Sequence, residues 1–158
     1  MRVGIGYDVH ALVPGRDLVL GGKKVPYDLG LAGHSDGDVL THAIIDAILG
    51  AAVLGDIGRH FPDKNQAFKN ISSLVLLEKT RKKITEAGFR VNNIDAIIIA
   101  EQPRMADFIE TMRDNISQVL KVEKTCVNIK ATTTEGLGFT GRGEGIAAQA
   151  ICSLVERN

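Results

Sequence analysis

The chain has 158 residues and a mass of 17.0 kDa, the size of one domain, and its 44% hydrophobic and 24% charged residues are the balance of a folded chain rather than a disordered one. Lys and Arg total 19, as do Asp and Glu, and this zero net charge argues against nucleic-acid wrapping and attachment to a lipid surface, both of which need a cationic footprint. Seventeen glycines beside five Phe, two Tyr and no Trp imply an aliphatic core and a backbone with special conformational demands.

Residues 2–10 alternate Val3, Ile5, Tyr7 and Val9 with Gly4, Gly6, Asp8 and His10, which reads as a strand. Residues 18–20, Gly21-Gly22 and residues 23–27 read as a hairpin. A helix is predicted over residues 36–54, with Val39, Leu40, Ala43, Ile44, Ala47, Ile48 and Ala51 on one stripe and Ser35 or Asp36 as its cap. A second helix carries Ile71, Leu74, Leu77 and Ile84 inward, Lys79, Lys82 and Lys83 outward, and closes at Gly88. Residues 94–100 form an apolar run expected to be a buried strand. Met105, Phe108, Ile109, Met112, Ile116, Val119 and Leu120 mark a third helix, and residues 126–131 alternate as another strand. The last segment is predicted as a helix with Ile146, Ala147, Ala150, Ile151, Leu154 and Val155 inward. The class expected is α+β: a single domain over residues 1–158, with a mixed β-sheet and helices packed on one face.

The opening residues have no signal-peptide form, and the longest apolar stretch, residues 43–54, is broken by Asp46 and Gly50. Cys126 and Cys152 lack C-x-x-C spacing and read as buried free thiols, consistent with a cytoplasmic protein.

Asp8 and His10 leave the same face of their strand, about 7 Å apart along the chain, and Gly4 and Gly6 on that face are expected to leave room above the sheet. D-x-H supplies two ligands of a zinc site, or a hydrogen-bonded pair at a strand end. His42 is the third candidate, flanked at i−4 and i+4 by Asp38 and Asp46 as partners for its other nitrogen; the alternative is a core-edge histidine. Residues 33–58 contain Asp36, Asp38, Asp46 and Asp56 but no Glu, Lys or Arg, a stretch that calls for a cation. His34, just before the helix, suits either hydrogen-bond donation to a phosphate or a plain surface loop.

Thr132-Thr133-Thr134-Glu135 leaves a strand and is followed by five glycines between residues 136 and 145. Accessible backbone N–H groups and threonine hydroxyls suit phosphate oxygens; Glu135 suits a magnesium ion and Arg142 a phosphate. The glycines alone would also fit a loop of tight turns. Gly136, Gly138 and Gly141 match the dinucleotide-binding fingerprint, but the 17 residues after Gly141 are expected to be taken up by one helix, with no second strand and acidic residue some 20 positions on.

Gly6-Tyr7-Asp8-Val9-His10, the run Ala32 to Asp38, Leu54 to Gly58, Phe61-Pro62-Asp63 and the run Ala131 to Gly145 together resemble the 2-C-methyl-D-erythritol 2,4-cyclodiphosphate synthase family over nearly the whole chain. The resemblance implies a homotrimer with active sites between subunits. It also implies metal-dependent conversion of 4-diphosphocytidyl-2-C-methyl-D-erythritol 2-phosphate to the cyclic diphosphate and CMP, in the non-mevalonate isoprenoid pathway. By the same resemblance Asp8, His10 and His42 would hold Zn2+, and Glu135 would help hold Mg2+ or Mn2+ on the substrate phosphates. His34 and Thr133 would stabilise the transition state, and Ser35, Asp56, Ile57, Gly58, Phe61, Pro62 and Asp63 would lie where methylerythritol is held. Ala100, Pro103, Arg104, Met105 and Ala106, with Thr132, Thr133 and Thr134, would bind cytidine and its phosphates; Phe139 and Arg142 would lie near the substrate and the trimer's central cavity. Arg104 stands where the family often has lysine, keeping the charge with a different donor geometry.

Overall fold

A computed structural model describes residues 1–157. Its frame is a five-stranded sheet in the order β4-β1-β7-β5-β6. Strand β1 (Arg2–Pro14) pairs antiparallel with β4 (Leu29–Leu31) at one end and with β7 (Gly145–Glu156) along residues 2–11. Strand β7 pairs antiparallel with β5 (Phe89–Ile99), and β5 pairs parallel with β6 (Val127–Thr132), so the sheet is mixed as expected. A separate hairpin joins β2 (Leu18–Leu20) to β3 (Lys23–Val25). Gly21 and Gly22 form its two-residue turn with φ of +55° and +68°, which a side chain at either position would strain.

The helices lie on one face. Helix α1 (Val39–Ala51) crosses β1 and β7, while α3 (Ser73–Glu86) and α4 (Ala106–Leu120) cover β5 and β6. Leu40, Ile44, Ile48, Leu77, Ile84, Ile94, Met112 and Ile116 fill the core between the layers. Two single turns, α2 (Ile57–His60) and α5 (Gly138–Gly141), sit in the loops. No helix among the described residues is long and apolar enough to cross a membrane.

The last segment is a strand, correcting the expected helix. Ile146, Ala148, Ala150, Cys152 and Leu154 turn to the helical layer at period two, and Ile151 is 48% exposed on the other face. Its alanines are compatible with either period, and the three-four spacing of the larger residues was a coincidence of that ambiguity. Residues 142–157 therefore hold one strand rather than one helix, and the dinucleotide-binding reading still lacks its second strand and acidic residue. The first helix starts later than expected, because its cap is Asp38 rather than Ser35 or Asp36: Asp38 accepts from the Thr41 N–H at 3.0 Å and from Gly21 and Gly22 at 2.9 and 2.8 Å.

The glycines of β1 do not leave open space above the sheet. A Cβ on Gly6 would overlap the Ala43 carbonyl oxygen, and one on Gly4 the Ala47 carbonyl oxygen. In register, Gly6 faces Ala150 and Asp8 faces Ala148, so a floor of small residues lets α1 settle directly onto the sheet. Cys152 is buried, and burial pushes its thiol up to about 12; Cys126 is only half-buried, and both are free.

Candidate active site

The close approach of α1 sets the site. Asp8 and His10 rise from β1 toward the helix, and His42 descends from its first turn. Asp8 Oδ2 lies 2.9 Å from His10 Nε2 and 3.0 Å from His42 Nδ1, and the two imidazole nitrogens are 3.1 Å apart. One carboxylate oxygen and two imidazole nitrogens converging in this way could hold a metal ion. Burial opposes ionisation of Asp8, but hydrogen bonds from His10 and His42 outweigh it and hold the carboxyl down at about 2. Burial likewise opposes charge on His10, yet the hydrogen bond and charge of Asp8 raise its pKa above the ordinary 6.5.

The expected partners of His42 are not its aspartate neighbours. Its Nε2 meets Ser73 Oγ at 2.9 Å and Ser35 Oγ at 3.1 Å, and Ser73 Oγ donates in turn to the Asp36 carboxylate. Asp38 is spent on the helix cap and the hairpin turn, and Asp46 accepts from the Ile57 N–H at 2.7 Å, fixing the start of α2. Arg16 donates to the carbonyls of Gly33 and Ser35 at 2.8 and 2.7 Å and so sets the loop that carries Ser35. No sequence motif marked Arg16 or Ser73, since each lies far along the chain from the residues it supports.

The triangle opens into a cavity of about 620 Å³ whose walls include His34, Ser35, Ile57, Gly58, Phe61, Pro62 and Asp63. Sequence reasoning missed Lys64 and Phe68, which also line it. His34 Nε2 lies 3.3 Å from the Asn65 carbonyl oxygen across this cleft. Asp56 is exposed beside the cleft rather than among its lining residues, and accepts from the Arg59 N–H at 2.9 Å as the cap of α2.

A second cleft of about 310 Å³ is lined by Ala100, Pro103, Arg104, Met105, Ala106, Thr132 and Thr133, together with Glu101 and Ala131. Thr134 faces away from it, bonding Thr140 Oγ1 at 2.9 Å, while Glu101 accepts from the N–H groups of Thr134 and Gly136. Glu135 holds a positive φ of +55° and is exposed, with Thr133 Oγ1 donating to it at 3.1 Å. Phe139 is exposed on α5, and Arg142 pairs with Glu144 at 2.8 Å; neither lines either cleft. Thr132 stands on the same rung of the sheet as Val9, three strands away through Ile99 and Ala147, or about 14 Å at the usual strand spacing. Both clefts thus open at one end of the sheet without meeting inside one chain.

The YgbB family model matches residues 1–155. The chain belongs to the YgbB family. Within it, the 2-C-methyl-D-erythritol 2,4-cyclodiphosphate synthases of Lachnospira eligens and Desulforamulus reducens are 62% and 61% identical over 154 residues, covering 98% of this chain and 84% and 98% of those proteins. The bifunctional IspDF from Campylobacter jejuni superimposes with a TM-score of 0.96 at 44% identity over 99% of this chain, which spans 42% of that longer protein. The IspF of Plasmodium falciparum in its CDP complex superimposes with a TM-score of 0.87 at 32% identity, over 99% of this chain and 97% of that one. With synthases as such near relatives, this YgbB-family chain is an enzyme. The Asp8, His10 and His42 triangle is the one group of three such ligands close enough to share a metal ion among the described residues of this YgbB-family chain.

Proposed function

We propose that the protein converts 4-diphosphocytidyl-2-C-methyl-D-erythritol 2-phosphate to 2-C-methyl-D-erythritol 2,4-cyclodiphosphate and CMP, as a phosphorus–oxygen lyase of the non-mevalonate isoprenoid pathway in the cytoplasm. The observation that carries this reading is the triangle of Asp8, His10 and His42 at the base of the 620 Å³ cleft, in a chain so close to named synthases. Residues 1–158 act as one catalytic domain.

The donor set suits Zn2+. Tetrahedral zinc with bonds of about 2.0–2.1 Å separates its ligand atoms by roughly 3.3 Å, a few tenths beyond the separations here. Glu135 suits Mg2+ or Mn2+, which commonly bind through one or two carboxylates together with substrate phosphates. When bound, such cations supply positive charge to phosphate oxygens that the acidic stretch around residues 33–58 cannot itself neutralise.

The reaction is an intramolecular phosphoryl transfer. An oxygen of the 2-phosphate attacks the β phosphorus, a new P–O–P linkage forms, and the bond from that phosphorus to the oxygen bridging the α phosphate breaks. CMP departs with that oxygen. The chain needs no covalent nucleophile; it must position two anionic groups in line and meet the developing charge. Ile57 and Phe61 hold the carbon skeleton of methylerythritol, with Asp56 and Asp63 toward its hydroxyls and Gly58 and Pro62 shaping the wall. His34 and Thr133 donate hydrogen bonds to phosphoryl oxygens as charge builds. Ala100, Pro103, Met105 and Ala106 hold cytosine and ribose, and Arg104 with Thr132 takes the leaving phosphate, while Thr134 braces the loop behind them through Thr140. The separation of the two clefts within one chain supports a homotrimer in which the metal cleft of one copy meets the nucleotide cleft of the next, with Phe139 and Arg142 near that junction.

Phosphorus NMR of the protein with the diphosphocytidyl substrate, Zn2+ and Mg2+ tests the reading. CMP and a cyclic diphosphate in equal amounts are expected. Linear phosphate products would point to a metal-dependent hydrolase, and CMP binding without turnover to a nucleotide-binding module; either result sinks the proposal.

A further inference from the structure

A second charged cavity lies at the opposite end of the sheet. From Arg90 near the start of β5 to Ile99 at the clefts, the strand runs about 30 Å. There α3, β5, α4 and the segment after β7 enclose about 330 Å³, lined by Arg81, Arg90, Lys121 and Arg157 with Thr85 and Val91 among the rest. No carboxylate among the described residues lines it; Glu86 and Glu156, next in sequence to the lining, are not part of it, and Glu86 faces a neighbouring groove with Lys79, Lys82 and Lys83. The ion pairs among the described residues include none of the four cations. Arg81 Nε is moreover the one buried side-chain nitrogen or oxygen among the described residues without a hydrogen-bond partner.

Such convergence favours a counter-charge: Glu78, the carboxylate near enough to feel Arg81 and Lys121, is exposed and pairs with Lys82 instead. The C-terminal ends of α3 and α4 point here, and each macrodipole presents about half a negative charge, so the two together offset roughly one of the four positive charges. Like charges gathered around a half-enclosed cavity repel one another, and a buried guanidinium donor left unmet is costly. A phosphate group answers both. It brings close to two negative charges and several strong acceptors to the planar donor forks of Arg81 and Arg90, with the Thr85 hydroxyl at hand.

We infer that this cavity binds a small phosphorylated ligand, separately from the metal cleft. The test follows backbone amide resonances of the full-length, zinc-loaded protein by TROSY NMR. Inorganic phosphate or diphosphate is titrated in at constant ionic strength. Saturable shifts centred on Thr85, Val91 and Lys121 are expected, with affinity at least tenfold weaker in the Arg90→Gln/Lys121→Gln variant. Both of those side chains are exposed, and an unchanged spectrum elsewhere verifies the fold. No saturable shift at these residues, or equal affinity in the variant, overturns the inference. Shifts confined to Gly33 and His34 would place the anion at the metal cleft alone and overturn it as well.

Discussion

His42 is held at both ends. Nδ1 faces Asp8 and His10, and Nε2 is fixed by Ser73 and Ser35, with Ser73 itself anchored on Asp36. Hydrogen bonding of the second nitrogen fixes the ring's orientation and tautomer, which is how a metal-binding imidazole keeps its lone pair aimed inward. His10 carries the pH response. A metal ion takes the lone pair that a proton would otherwise occupy, and Asp8 stabilises the protonated form of His10, raising its pKa above 6.5 despite burial. Asp8 itself, at about 2, stays ionised throughout the range of interest. Affinity for Zn2+ is therefore expected to be full well above the raised His10 pKa and to weaken as pH falls through it, approaching about tenfold per pH unit below. Competition with a chromogenic chelator between pH 5 and 8 reads this directly. A flat profile would mean that His10 is not a ligand.

The elements matter through how closely they pack. The triangle depends on α1 lying almost on the sheet, and that approach depends on Gly4 and Gly6 in β1 and Ala148 and Ala150 in β7. In Gly6→Ala the new methyl would meet the Ala43 carbonyl, a backbone atom that moves only with the helix, one residue from His42. The expected cost is about 1–3 kcal/mol of stability. Zinc affinity should fall along with it, because His42 is lifted away from Asp8. Denaturant unfolding and a zinc titration on the same variant check both effects; unchanged metal affinity would show that the triangle does not rely on the close approach. The same packing explains what the sequence revealed and what it concealed. Asp8, His10 and His42 could be read because a D-x-H on an alternating strand and a histidine on an apolar helix carry their own periodicity. Ser73 and Arg16 could not, since only the tertiary fold brings them to the loop and the ring they support. Strand β7 was misread because the small residues that admit α1 are the ones whose period is least distinct. The glycines of β1 were visible from the start, but their purpose was helix approach rather than open space.

At the scale of the whole molecule, the outer face of the sheet remains to be satisfied. Val3, Ile5, Tyr7 and Val9 of β1 are 63%, 61%, 53% and 43% exposed, and Ile151 of β7, directly opposite Ile5 in register, is 48% exposed. Single exposed apolar residues are ordinary, but a contiguous band on one sheet face marks a surface that another protein surface covers. Three copies packed through this band would bring the metal cleft of one against the nucleotide cleft of the next. The substrate would then bridge a gap that no single chain closes. Ile5→Glu places a carboxylate in each copy's share of the band and should break the assembly. Light scattering is expected to report 17.0 kDa for the variant, against three times that for the unmodified protein. Zinc binding should survive, because Asp8, His10 and His42 all belong to one chain, while cyclisation should fall at least a hundredfold as Thr133 and Glu135 of the neighbouring copy are lost. The pairing of retained metal with lost turnover separates a broken assembly from a misfolded chain. A monomer that still cyclises its substrate at the original rate would show that one chain's clefts suffice, and the shared-site reading would fail.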